Sequence, residues 1–222
     1  MSENTVEQKL TLKDRIKYFF INPKILFERF IDKPKYGINL LILILSSVLY
    51  SVISSKFSKD LMKNLMESQT KGLTPQQAEA TKKIAEFTTS PIFGSISAIL
   101  GIIIGVFFTS LILFLILKVS KISLKYKQIV SIYTLASITT VIYNVIQSIY
   151  VLISQKPIGT IKTVTSVISS SINVFSIWKY VLIGIGIYAV SKTSKKKAAI
   201  ITIICFILFS AILIASGLSA VK

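Results

Sequence analysis

Five apolar runs, at 38–55, 91–117, 128–153, 173–190 and 198–216, divide the chain, and lysines crowd the stretches between them. About 20 consecutive apolar residues cross a hydrocarbon core as a helix. In lipid the backbone must pair its polar groups internally, which leaves helices and closed barrels as the spanning structures. Runs of this length select the helix. The expected fold class is therefore all-α: a polytopic bundle of five transmembrane helices with short amphipathic helices. A hydrophobic content of 52% and a mean hydropathy of +0.71 agree with that class.

Charge fixes orientation. The chain holds 26 basic and 9 acidic residues. In a soluble domain such an excess would suggest nucleic acid, but here the lysines punctuate spans, and no nucleic-acid partner is expected. With the N-terminus inside, 16 of the 26 basic residues fall in the inner segments and nine in the outer ones, Lys179 being the remaining one. The positive-inside rule then places the N-terminus in the cytoplasm and the C-terminus outside. The clusters Lys118 to Lys127 and Lys192 to Lys197 would meet anionic lipid headgroups. The first long apolar run begins at Ile38 after a charged segment, so it is expected to serve as an uncleaved anchor.

Residues 1–37 form a cytoplasmic segment. Thr11 with Asp14, and Asn22 before Pro23, read as two helix starts. The helices they open, rich in Phe and Lys, either lie in the membrane interface or pack on the spans. Residues 56–90 form an outside helical loop with a second N-cap and proline start at Thr74-Pro75.

In the second run, Ser97, Gly101, Gly105 and Thr109 recur every four residues. Small residues on one stripe let helices approach closely. Packing within the monomer is favoured over a dimer.

The third run is the most polar. Tyr133, Ser137, Thr140, Asn144 and Gln147 step by three or four and share a face. In lipid such a face turns toward other helices or water, so it bonds neighbouring helices or lines a passage. Asn173 and Lys179 of the fourth run join it as candidate intramembrane polar residues. Lys179 lies fewer than two turns from Asn173, close enough for its methylenes to carry the ammonium to the headgroups or to the third run. Trp178 and Tyr180 beside it suit an interfacial depth.

No span holds an Asp or Glu, and the chain has no histidine. That argues against a proton pump, a divalent-metal transporter, and aspartyl or zinc intramembrane proteases. No metal site, cofactor or catalytic residue is expected. Cys205, among isoleucines and Phe206, reads as a small packing residue.

Val174 to Gly186, VFSIWKYVLIGIG, followed by a lysine-rich turn into Ala198 and Ala199, resembles the penultimate span of the Yip (Ypt/Rab-interacting) domain family. Phe20 to Phe27 with Lys33-Pro34, and Leu73 to Gln77, resemble its short prokaryotic-type members. The resemblance implies five spans, a cytoplasmic N-terminus and a non-enzymatic role as a membrane organiser or partner-binding protein. Eukaryotic members bind Rab-type GTPases through a longer N-terminal region than the 37 residues here, so a GTPase or membrane-protein partner is an expectation only. The alternative is a passive channel or carrier for anions or small neutral solutes along the polar face of the third span. An Ile-rich composition with 24 Lys against 2 Arg suits a bacterial plasma membrane.

Overall fold

The computed structural model describes residues 10–70, 72–88, 90–155 and 163–219. Loop residues Pro157 and Gly159 lie outside the described residues. The helices, in chain order, are α1 (Leu12–Ile21), α2 (Pro23–Glu28), α3 (Gly37–Gln69), α4 (Pro75–Thr88), α5 (Pro91–Val119), α6 (Tyr126–Ala136), α7 (Ile138–Ser154), α8 (Val164–Ser171), α9 (Val174–Ser191) and α10 (Lys195–Leu218). Five helical stretches are long and apolar enough to cross a membrane. The chain is an all-α, polytopic membrane protein.

Short polar residues start the helices by occupying backbone N–H groups that have no partner in the first turn. The Thr11 hydroxyl accepts from the Asp14 N–H at 3.2 Å, while the Asp14 carboxylate accepts from the Thr11 N–H at 3.1 Å. Ser90 accepts from Phe93 ahead of Pro91, and Ser194 from Lys197. Helix ends use left-handed backbone at Lys121, Gln155 and Lys192.

Three elements differ from a simple reading of the apolar runs. Helix α3 continues from its apolar part, Gly37–Phe57, without a break to Gln69. A turn with Gly72 at φ +90° then leads into α4, which buries no residue. The fourth run is preceded by α8, so its helical stretch extends over Val164–Ser191 with a break at Ile172 and Asn173. The third run is two helices joined at Ser137. It contains neither proline nor glycine. Two hydroxyls flank the joint and bond back to their own helix: Thr134 donates to the Val130 carbonyl at 2.8 Å and Thr139 to Ala136 at 3.1 Å. Serine and threonine that bond back to their own helix bend it. The Ser137 carbonyl is taken by the Thr140 N–H three residues on, at 2.9 Å.

The core sits where α2, α6 and α9 meet. Phe27, Ile129, Ile132 and Ile187 are fully enclosed there. Helix α3 packs on α5 and α7, and α10 on α9 and α8. The third span is the most enclosed, with half of its most apolar window buried against 11% for the first. The periphery is apolar: Leu41, Leu45 and Leu49 on α3, and Ile104, Phe108 and Leu115 on α5, are exposed. A contiguous apolar surface of this kind suits lipid contact.

Candidate functional site

The polar face of the third span meets two partners. Toward its C-terminal half, Asn144 is buried, and its amide Nδ2 donates to Ser47 Oγ at 3.1 Å and to Ser46 Oγ at 3.4 Å on α3. Ser148, one turn on, donates back to the Asn144 carbonyl at 2.8 Å. Gln147 is half-buried, and its Oε1 has no hydrogen-bond partner among the described residues. Thr140 is half-buried, and Ser137 is buried at the joint between α6 and α7.

Toward the other half, the Lys179 ammonium lies 5.7 Å from the Tyr133 ring centre and 5.3 Å from that of Tyr180. The negative faces of aromatic rings attract a cation, more strongly when water is excluded. The structure thus brings Lys179 to Tyr133 on the third span. Asn173 has a different task. Its Oδ1 accepts from the Phe175 and Ser176 N–H groups at 3.0 and 2.9 Å, and its Nδ2 donates to the Ser170 carbonyl at 3.0 Å. It caps α9 and joins α8 to it, so its side chain is committed to backbone.

The small residues of α5 sit on an open face. Ser97 and Gly101 are exposed, Gly105 and Thr109 half-buried. A methyl group built on Gly101 or Gly105 would meet nothing within 4 Å. Close approaches occur at other glycines. A methyl on Gly94 would meet Ser51 Oγ at 2.6 Å, on Gly184 Thr202 Oγ1 at 3.0 Å, and on Gly217 Val167 Cγ1 at 2.5 Å.

The N-terminal segment supplies contacts that local patterns do not reveal. Helix α2 drives Phe27 into the bundle beside Gly186. Gln128, buried at the start of α6, donates from Nε2 to the Ile31 carbonyl at 2.9 Å and the Phe30 carbonyl at 3.3 Å. Its Oε1 accepts from the Lys125 N–H at 2.8 Å. Trp178 lies against Phe19 and Phe20, with ring centres 5.5 and 5.3 Å away. Lys24 and Lys195 both approach the Tyr188 ring, at 5.6 and 5.7 Å. Ser120 and Ser194 to Lys197 border one groove. Lys24 of the N-terminal segment, the α5–α6 turn and the α9–α10 turn therefore gather at one end of the bundle. Helix α1 is only partly covered: Phe19 is buried, while Leu12, Ile16 and Phe20 are exposed.

Comparison with known proteins agrees with this architecture. The chain is 26% identical to "Membrane protein YknW" of Bacillus subtilis (strain 168) over 231 residues, covering 98% of this chain and 97% of that protein. No solved structure matches it. The sequence model of the Yip1 domain matches residues 17–216, nearly the whole chain, and the protein belongs to the Yip1 domain family.

Proposed function

We propose that the protein is a non-enzymatic membrane organiser that binds a membrane-protein partner through its N-terminal segment. The observation that carries this reading is the division of labour within that segment. Helix α2 is clamped by Phe27 and Gln128, while α1 offers Leu12, Ile16 and Phe20 beside Lys13, Arg15 and Lys17. An apolar stripe flanked by basic residues suits the headgroup boundary and whatever lies there. The gathering of basic segments at one end supports an N-terminus in the cytoplasm. A Bacillus relative supports a bacterial plasma membrane. Crosslinking in native membranes tests the reading. The full chain should retrieve one reproducible partner, and the triple variant Leu12→Ser, Ile16→Ser, Phe20→Ser should lose it. Equal recovery by both proteins would overturn it, and a GTPase among the recovered partners would identify the class.

The second reading, a passive path for anions or neutral solutes, draws on Gln147, whose buried Oε1 is unpartnered among the described residues. Against it stands the engagement of Asn144 with two hydroxyls of α3. Proteoliposomes decide. Solute flux that disappears in Lys179→Met and Asn144→Leu supports a path. No flux in the unaltered protein removes it.

A further inference from the structure

The groove at the lysine-rich end, about 420 Å³ in volume, is lined by Ser120 after α5 and by Ser194, Lys196, Lys197, Ile200, Ile201 and Ile204 of the α10 region. Its composition is sorted. At one end stand two ammonium groups that have neither an ion-pair nor a ring partner among the described residues. Ser120, half-buried, offers a hydroxyl beside them. The floor is isoleucine: Ile201 is buried, whereas Ile200 and Ile204 are 48% and 53% exposed. Lys196, Ile200, Ile204 and Leu208 follow one another at four-residue spacing along α10 and thus share a face. Twelve residues of helix measure about 18 Å, comparable to the length of an acyl chain in one leaflet. No Asp or Glu occurs in the sequence after Glu86, and Glu28 of the N-terminal segment is paired with Lys24 at 3.2 Å.

We propose that this groove between α5 and α10 is a site for one anionic phospholipid. The headgroup phosphate would rest on Lys196, Lys197 and Ser120, and an acyl chain would run along Ile200, Ile204 and Leu208. Charge complementarity selects the occupant: a zwitterionic lipid offers the same chains but no net charge to two unpaired ammonium groups. This goes beyond the general attraction of lysine clusters to an anionic membrane, because it assigns one lipid to one place.

The purified full chain in detergent, titrated with phosphatidylglycerol or phosphatidylcholine and read by native mass spectrometry, tests the assignment. One phosphatidylglycerol should bind in preference to phosphatidylcholine. The double variant Lys196→Gln, Lys197→Gln should weaken that adduct by at least about tenfold, because each lysine near an anionic surface contributes about a factor of five. Lys125→Gln, Lys127→Gln removes the same charge outside the groove and should leave the adduct within about twofold of the unaltered protein, its lysines making no contact with the lipid. Ile204→Trp, which fills the floor and keeps every lysine, should also weaken it. Equal weakening by both lysine pairs would reduce the effect to net charge and overturn the site. So would full displacement by glycerol 3-phosphate, which has no acyl chain, or no preference for the anionic lipid.

Discussion

The Phe27 ring closes over Gly186 on the face of α9 that also meets Ile132. A methyl group on Gly186 would stand 3.0 Å from Phe27 Cδ1 and 2.6 Å from Ile132 Cγ2. Both neighbours are fully enclosed and have nowhere to move. Overpacking of such a site costs about 1–3 kcal/mol, so Gly186→Ala should lower the thermal midpoint in detergent. Gly186→Leu should lift α2 off the bundle and open residues 10–31 to protease. Wild-type protease resistance in Gly186→Leu would show that α2 is held elsewhere.

Lys179→Met is expected to leave the bundle at least as stable as before. A lysine near the middle of a span costs about 2.5–3.5 kcal/mol on insertion scales. Its two ring contacts each return about 0.5–2 kcal/mol. Replacing it with an apolar side chain of similar length removes both. Lys179→Glu should be clearly worse, because a carboxylate would face the negative sides of Tyr133 and Tyr180. Unfolding in denaturant checks the order Met ≥ Lys > Glu.

The Asn144–Ser47 hydrogen bond joins α7 to α3 at 3.1 Å. Interhelical bonds of this type average about 0.6 kcal/mol, with a maximum near 1.7. A double-mutant cycle with Asn144→Leu and Ser47→Ala should give a coupling in that range. Strict additivity would mean that the two side chains do not share a bond in the membrane.

Gly101→Ala and Gly105→Ala should be tolerated or mildly stabilising, by up to about 1 kcal/mol each, since alanine is the better helix former and the added methyl meets no neighbour. A lower thermal midpoint in either variant would indicate a helix closely packed on that stripe.

Asp14 adds a pH dependence confined to α1. Its hydrogen bonds from the Thr11 side chain and backbone hold its pKa below the ordinary 3.8. A carboxyl depressed by folding stabilises the folded form above its unfolded value, and that contribution fades as the pH falls through the folded value. Protection of the first-turn amides of α1, measured as exchange relative to the unstructured rate at the same pH, should therefore fall below about pH 4. In Thr11→Ala, which loses the side-chain bond, that protection should be lower at neutral pH and change less with acid.

How much the sequence discloses follows from the range over which each interaction acts. Spans are legible because a run of apolar residues is a local property, and Ser90-Pro91 and Ser194 mark helix starts within four residues. The break at Ser137 is hidden, because Thr134 and Thr139 are compatible with a continuous helix and bond to carbonyls close to them in the chain. The spacing of Gly101 and Gly105 says that a stripe is small, but it does not say which way the stripe turns. Gly184, Gly186 and Gly217, which do lie against other side chains, carry no comparable pattern. The polar face of the third span was visible as a face, yet its partners Ser46, Ser47 and Lys179 belong to two other spans. Asn173 stood within a polar grouping by composition, while its local sequence, Asn173 to Ser176, encodes a cap.

The seating of Phe27 beside Gly186 also imposes an order on biosynthesis. Helix α2 leaves the ribosome before any of the five spans, and its seat on α9 is made only after three of them have entered the bilayer. Until then α2 has, among the spans, only its contacts with α6, and its Leu26, Phe27 and Phe30 are incompletely covered. The entry segment thus acts as a closing latch, set when the fourth span arrives. A nascent chain arrested before Val174 should leave residues 10–31 open to protease, and protection already complete at that length would refute the latch.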